Sequence, residues 1–329
     1  MSKKDFEKQS LKEKKLSGFA VARNGVRVLD AMVDMIVLCI FLLLLMYGSY
    51  SLLRNTNIYR QADSSRYEMY RPTEGNENAF AELQEINSDA IAWLTIYGTN
   101  INYPVMHGDE KDTYVNTDPF GEPSISGSLY LEHRQPADFS SFSSIIYGHH
   151  MQKERMFGEL DRYASPEYMV EHTYGNLYFN GKDHGLLLFA FIEADAYDDS
   201  VYRMRVESGQ EESYVGYLLS RSSHNQEVTV TADDRIALLS TCVSSNKNKR
   251  YIVVGLITEE VYSITNIPNA GADKVVQTIS NISAWFNSIL LLFAVLIIFI
   301  FLIILYVFSV KKKRVVLNAK SGDKEKLED

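Results

Sequence analysis

The chain carries an apolar segment near each end, and each segment has its basic flank on the outer side. Residues Ile289 to Phe308 form an uncharged run rich in Leu, Ile and Phe. About 20 such residues in a helix cross the ~30 Å hydrocarbon core of a bilayer. Trp285 precedes the run and Lys311, Lys312, Lys313 and Arg314 follow it, as expected of a span that ends in the cytoplasm. The first segment covers residues 31–53, with Met35 to Tyr47 its most apolar part and Asp34 near its start. Its leader holds Lys3, Lys4, Lys8, Lys12, Lys14, Lys15, Arg23 and Arg27 against Asp5, Glu7 and Glu13. A cleaved signal peptide is the competing reading of this segment. The long basic leader and the lack of a small-residue cleavage site argue against it.

Positive charge at both outer flanks predicts a two-pass protein with cytoplasmic termini and the intervening residues outside the cell. The expected division is a basic N-terminus at 1–30, a transmembrane helix at 31–53, a polar linker at 54–78 and an extracellular domain at 79–265. A second linker at 266–283, a second transmembrane helix at 284–310 and a cytoplasmic tail at 311–329 complete it. The net charge of -9 gives no reason to expect nucleic acid as a partner. The bilayer is the one partner that composition alone requires.

The domain reads as short β-runs: WLTIY (93–97), INYPV (101–105), SGSLYLE (126–132), SSIIYGH (143–149), NLYFN (176–180), LLLFAFIEA (186–194), EVTVT (227–231), RIALLSTC (235–242) and RYIVVGLIT (250–258). Helices are expected at 79–87, 156–165 and 209–221. Closely spaced strands with few helices predict a mainly β barrel or sandwich.

Of the two cysteines, Cys39 lies in the first apolar segment and reads as a packing residue. Cys242 ends an apolar strand and has no partner in its domain, so it reads as a nucleophile. Such a thiol needs a proton partner and an oxyanion donor. His149, after Gly148 at the end of a strand, can hold the thiolate and protonate a leaving amine. It can also be a plain strand-end histidine. With His150 it could form a metal pair, but adjacent strand residues face opposite ways and no carboxylate or cysteine cluster completes a site. No metal or cofactor is expected. Arg250 can stabilise an oxyanion or grip a substrate backbone, or it can be a solvated charge beside Lys247 and Lys249. Ser240 and Thr241 place hydroxyls and amides next to the thiol.

LLSTC followed by a short loop and Arg250, YGHHM at 147–151 and the membrane anchor together resemble a sortase, a cysteine transpeptidase of Gram-positive surfaces. The resemblance covers roughly residues 80–262 and is nearest to class B. It is carried by AWLTIYGTNINYPVM, SGSLYLEHR, YGHHM before MFGEL, and the helical insertion at 209–221. It implies a closed eight-stranded β-barrel with short helices, flanked here by two transmembrane helices. It also implies Cys242 as nucleophile, His149 as general acid/base, Arg250 as oxyanion or substrate stabiliser, and Ser240 as a substrate contact beside Thr241. The implied substrates are surface or pilin proteins with an LPXTG- or NPXTN-like motif, cleaved after Thr through a thioacyl enzyme. The implied acceptor is an amine of a peptidoglycan precursor or a pilin lysine. Two features depart from class B. The loop VSSNKNK between Cys242 and Arg250 has no carboxylate, and the C-terminal anchor resembles class C. Class C enzymes carry an Asp-Pro-aromatic lid ahead of the barrel. Here DPF lies at 118–120, within the domain, and reads as a turn. The other functions considered are a membrane-anchored cysteine endopeptidase that uses water, and a non-catalytic surface binding or assembly module.

Overall fold

A computed structural model describes the backbone of residues 3–263 except 74, 75, 77, 244 and 245, and the side chains of these residues except 3–25, 27, 28, 56, 57 and 242–247. The expected second linker, second span and tail lie outside the described residues from 264 onward. The chain divides into units at 1–261 and 262–329, and the description below concerns the first.

The elements run α1 (Lys3–Gln61), α2 (Asn78–Ile86), β1 (Ala90–Ile96), β2 (Asn102–Met106), β3 (Leu129–Leu131), β4 (Ser143–Gly148), β5 (His150–Met151), β6 (Arg155–Met156), α3 (Pro166–Glu171), β7 (Tyr174–Phe179), β8 (Lys182–Asp195), α4 (Glu211–Arg221), β9 (Ser222–Asn225), β10 (Arg235–Val243) and β11 (Asn246–Thr258). The main sheet runs β11-β10-β4-β3-β2-β1-β7-β8-β9, and β8 also pairs with β11. That pairing closes eight strands into a barrel and leaves β9 outside on the edge of β8. Most pairs are antiparallel, but β10 lies parallel to β4 and β3 parallel to β2.

One core draws residues from all eight barrel strands, among them Leu94, Val105, Leu129, Ile146, Leu177, Leu186, Leu239 and Val253. A second core lies under α4 and holds Tyr214, Val215 and Leu218 against Ile192, Leu238, Ile252 and Val254. Along β10, Ala237 and Leu239 belong to the first core, and Ile236 and Leu238 to the second. Burial on both faces explains why this strand is an unbroken apolar run. Between β7 and β8, Asn180 (φ 52°) and Gly181 (φ 74°) make a two-residue turn. Positive φ at both positions matches the twist of a tight hairpin.

Several sequence expectations shift. The helix predicted at 156–165 is a 3₁₀ turn over Gly158–Ala164 followed by α3. Ser165 caps α3 by accepting from the amide of Tyr168 (3.3 Å), and Pro166 opens it, so the α-helix starts after the predicted segment. EVTVT is no strand. Its Val228 and Val230 pack on the second core, but its backbone joins no ladder, and Ser222–Asn225 pairs with β8 instead. Alternation therefore reported a half-buried extended segment rather than a sheet partner.

The first apolar segment lies within the longer helix α1. Leu29–Gln61 is long and apolar enough to cross a membrane, and none of its most apolar 18-residue stretch is buried in the protein. Much of 54–78, expected as linker, packs on the barrel. Ala62 and Tyr67 are buried, and the Tyr103 hydroxyl donates to the Ala62 carbonyl (2.8 Å). Arg66 pairs with the buried Asp118 at 2.8 Å, and Arg155 pairs with Asp63 at 2.8 Å. Asp118 also accepts from the amides of Phe120 and Glu122, both at 3.0 Å. DPF is thus a turn, as expected, and its Phe120 ring lies 5.3 Å from that of Tyr67.

Candidate active site

The parallel pairing of β4 and β10 brings the sequence candidates together. Thr241 is in register with Gly148, so the next positions along the two strands are Cys242 and His149. Across the antiparallel pair, Cys242 is in register with Arg250. Three residues spread over a hundred positions of sequence thus meet at the same ends of three neighbouring strands.

A cavity of about 540 Å³ opens there, lined by His149, Ser240, Thr241 and Arg250 together with Tyr147 and Tyr202. His149 and Arg250 are half-buried. The Nε2 of His149 lies 2.7 Å from the carbonyl of Val115. A carbonyl only accepts, so Nε2 carries the proton and Nδ1 is the nitrogen able to exchange one. Val115 belongs to the 3₁₀ turn Thr113–Val115 in the β2–β3 connection, and that connection forms one wall of the cavity. Near Val115, the Tyr114 hydroxyl donates to Asp89 (2.7 Å). Burial, then this carboxylate, raises the Tyr114 phenol pKa above its ordinary range.

Ser240 and Thr241 line the cavity, yet both are buried and their hydroxyls are engaged inside the protein. Thr241 donates to the Gly148 carbonyl (2.8 Å) and so ties β10 to β4 one residue before Cys242 and His149. Ser240 Oγ lies 2.8 Å from the Tyr202 hydroxyl. His150 bonds Asp161 at 3.0 Å and is not among the lining residues.

Sequence reasoning missed one wall of the cavity. Glu132, on the chain leaving β3, is buried and accepts from Arg134 Nε (2.7 Å). The His133 Nδ1 also lies 2.9 Å from it. Tyr147 bonds the same carboxylate, and burial, then the Glu132 charge, pushes its phenol far above the ordinary range. The Tyr147 ring has the tilted rings of Tyr130 (centroids 5.5 Å apart) and Tyr202 (6.3 Å) as neighbours. The sequence offered no more than a glutamate at the end of SGSLYLE, before His133 and Arg134. Among the described residues no His, Cys, Asp and Glu cluster could hold a metal.

No family model matches the chain. It is 32% identical over 184 residues to a Staphylococcus aureus protein named Sortase B, which covers 54% of this chain and 74% of that protein. A Listeria monocytogenes protein of the same name is 29% identical over 161 residues, or 49% of this chain and 65% of the relative, a little under two thirds of its length. The solved Staphylococcus aureus sortase B–substrate complex is 27% identical, with a TM-score of 0.55 over 64% of this chain and 98% of that one. The shared barrel and the extent of the Staphylococcus aureus match place this chain in the class B sortases, a family of cysteine transpeptidases.

Proposed function

We propose that the chain is a cell-surface transpeptidase that cleaves a C-terminal sorting motif after Thr at Cys242 and passes the protein to an amine. The observation that carries this reading is the register that sets Cys242 across from Arg250 and next to His149. His149 Nδ1 takes the Cys242 thiol proton, the thiolate attacks the Thr carbonyl carbon, and the carbonyl electron pair moves to oxygen. The Arg250 guanidinium offsets that charge. As the intermediate collapses, the C–N bond breaks and His149 gives its Nδ1 proton to the leaving amine. The acceptor amine then loses a proton to His149 and attacks the thioester, the C–S bond breaks, and the thiolate is restored. Ser240 and Thr241 serve this reading as positioning residues, since their hydroxyls are already bonded within the protein.

In the same reading both termini are cytoplasmic, the barrel is extracellular, and a second helix at 284–310 anchors the C-terminal side. Substrates are surface or pilin proteins with an LPXTG- or NPXTN-like motif, and the acceptor is a peptidoglycan amine or a pilin lysine. The test uses quenched peptides of both motifs with and without triglycine. Expected is cleavage with a joined product, lost in Cys242→Ala. Cleavage that persists without Cys242 sinks the mechanism. Hydrolysis that stays unjoined at saturating amine makes the protein an endopeptidase, and peptide binding without a Cys242 adduct makes it an assembly module.

A further inference from the structure

A second cavity, of about 590 Å³, lies where α1 meets the barrel. Tyr50, Leu53, Arg54 and Ile58 of α1 line one side, and Asn116, Ser124 and Ile125 of the β2–β3 connection line the other. Leu53 and Ile125 are 68% and 54% exposed although they border this cleft. Among the described residues Arg54 pairs with no carboxylate. Asn116 lines this cleft and the catalytic cavity alike.

We propose that this cleft holds a phospholipid of the bilayer that α1 enters, with the lipid phosphate at Arg54 and Ile125 dipping into the interface. This rests on the reading of α1 as a membrane span. The apolar run of that helix gives way to Tyr47, Tyr50 and Arg54, the residue types that settle at the level of the headgroups. The β2–β3 connection meets the helix at that same level and, beside Asn116 and the buried Ser124, presents the exposed Ile125. An apolar group there gains from burial in the headgroup region, and a guanidinium recognises phosphate with a forked pair of donors. A peptide or a second copy of the chain would have to displace the lipid around α1 to reach the cleft. The consequence is functional. The connection that docks on the bilayer also carries Val115, whose carbonyl holds His149, so the catalytic cavity opens close to the membrane surface.

The test uses the full chain in phosphatidylcholine vesicles containing phosphatidylglycerol, with Trp285→Phe as background so that buried Trp93 is the reference. Ile125→Trp is compared with Ser213→Trp, an exposed position on α4, which packs on β8 across the barrel from β2 and β3. With brominated phosphatidylcholine, Trp at 125 is expected to lose about half its emission, because interfacial side chains sit about 5–10 Å into the headgroup boundary. Trp at 213 is expected to keep its emission. Adding Arg54→Gln is expected to weaken quenching at 125. Equal quenching at the two positions overturns the docking, and quenching at 125 that ignores Arg54→Gln overturns the phosphate contact. Protein that fails to float with the vesicles refutes the membrane reading itself, which is a separate result.

Discussion

Replacing Gly148 with Ala tests how the histidine is placed. A Cβ at 148 would lie 2.4 Å from Leu129 Cδ2 and 2.7 Å from Phe157 Cδ2. Carbon atoms settle at about 3.5–4.0 Å, so both contacts are short by close to 1 Å. Leu129 and Phe157 are each 0% exposed and belong to the first core, so neither can swing into solvent. Overpacking of this kind costs about 1–3 kcal/mol, and with two blocked neighbours we expect the upper half of that range. For a domain of this size each kcal/mol moves the melting temperature by about 2–4 °C, which gives a fall of about 4–12 °C. Thermal unfolding of the detergent-solubilised chain reads it. The strain falls on the residue before His149, and a misplacement of about 1 Å at a reacting group can cost about 10²-fold in rate, so transpeptidation should drop as well. Gly216→Ala on α4 is the matched control. Nothing lies within 4 Å of its Cβ, and a helical Gly→Ala change is worth about 0.5–1 kcal/mol in the stabilising direction. Leu129→Ala vacates the nearer clash, so the double variant should be more stable than the two single losses add up to. An unchanged melting temperature in Gly148→Ala, or strict additivity with Leu129→Ala, refutes the close-approach argument.

Three further outcomes are expected. Arg250→Lys keeps the charge but loses the planar fork, so kcat should fall about 10²-fold with the melting temperature unchanged; an equal loss of stability would mark Arg250 as structural. Arg66→Ala strips the buried Asp118 of its ion pair and leaves it two amide donors. It should destabilise the fold by about 1–3 kcal/mol in urea titrations, and a change near zero would show that residues 62–71 dock without this pair. Burial raises the Glu159 pKa above the ordinary carboxylate range, so its contribution is fully present below the unfolded value and is lost as pH rises through the folded one. Glu159→Gln should therefore gain stability relative to the parent as pH rises above the unfolded carboxylate value of about 4.3, and a gap that is flat or shrinks with rising pH contradicts the burial argument.

Strand positions were legible wherever a strand's burial left a pattern in its residues. IALLSTC and LLLFAFIEA announced themselves because both faces of β10 and most of β8 are covered. The alternating EVTVT misled because alternation records one buried face and not a hydrogen-bonded neighbour. The polar 54–78 segment looked like a tether because its anchors, Arg66 to Asp118 and Asp63 to Arg155, are ion pairs to distant residues that no local pattern reveals. Glu132 was overlooked for a related reason. A single glutamate in a strand-like stretch reads as solvent-facing until its partners Arg134 and Tyr147 are placed around it.

The lone thiol of the domain, the apolar run beside it, and a histidine and an arginine at strand ends are readable from short segments, because residue chemistry and local periodicity are local properties. That these residues meet depends on strand pairing. The parallel pairing of β10 with β4 and the antiparallel pairing with β11 are contacts between segments far apart in sequence. Their register is set by which side chains the two cores can bury, and a slip of one residue on either strand would separate Cys242 from His149 or from Arg250.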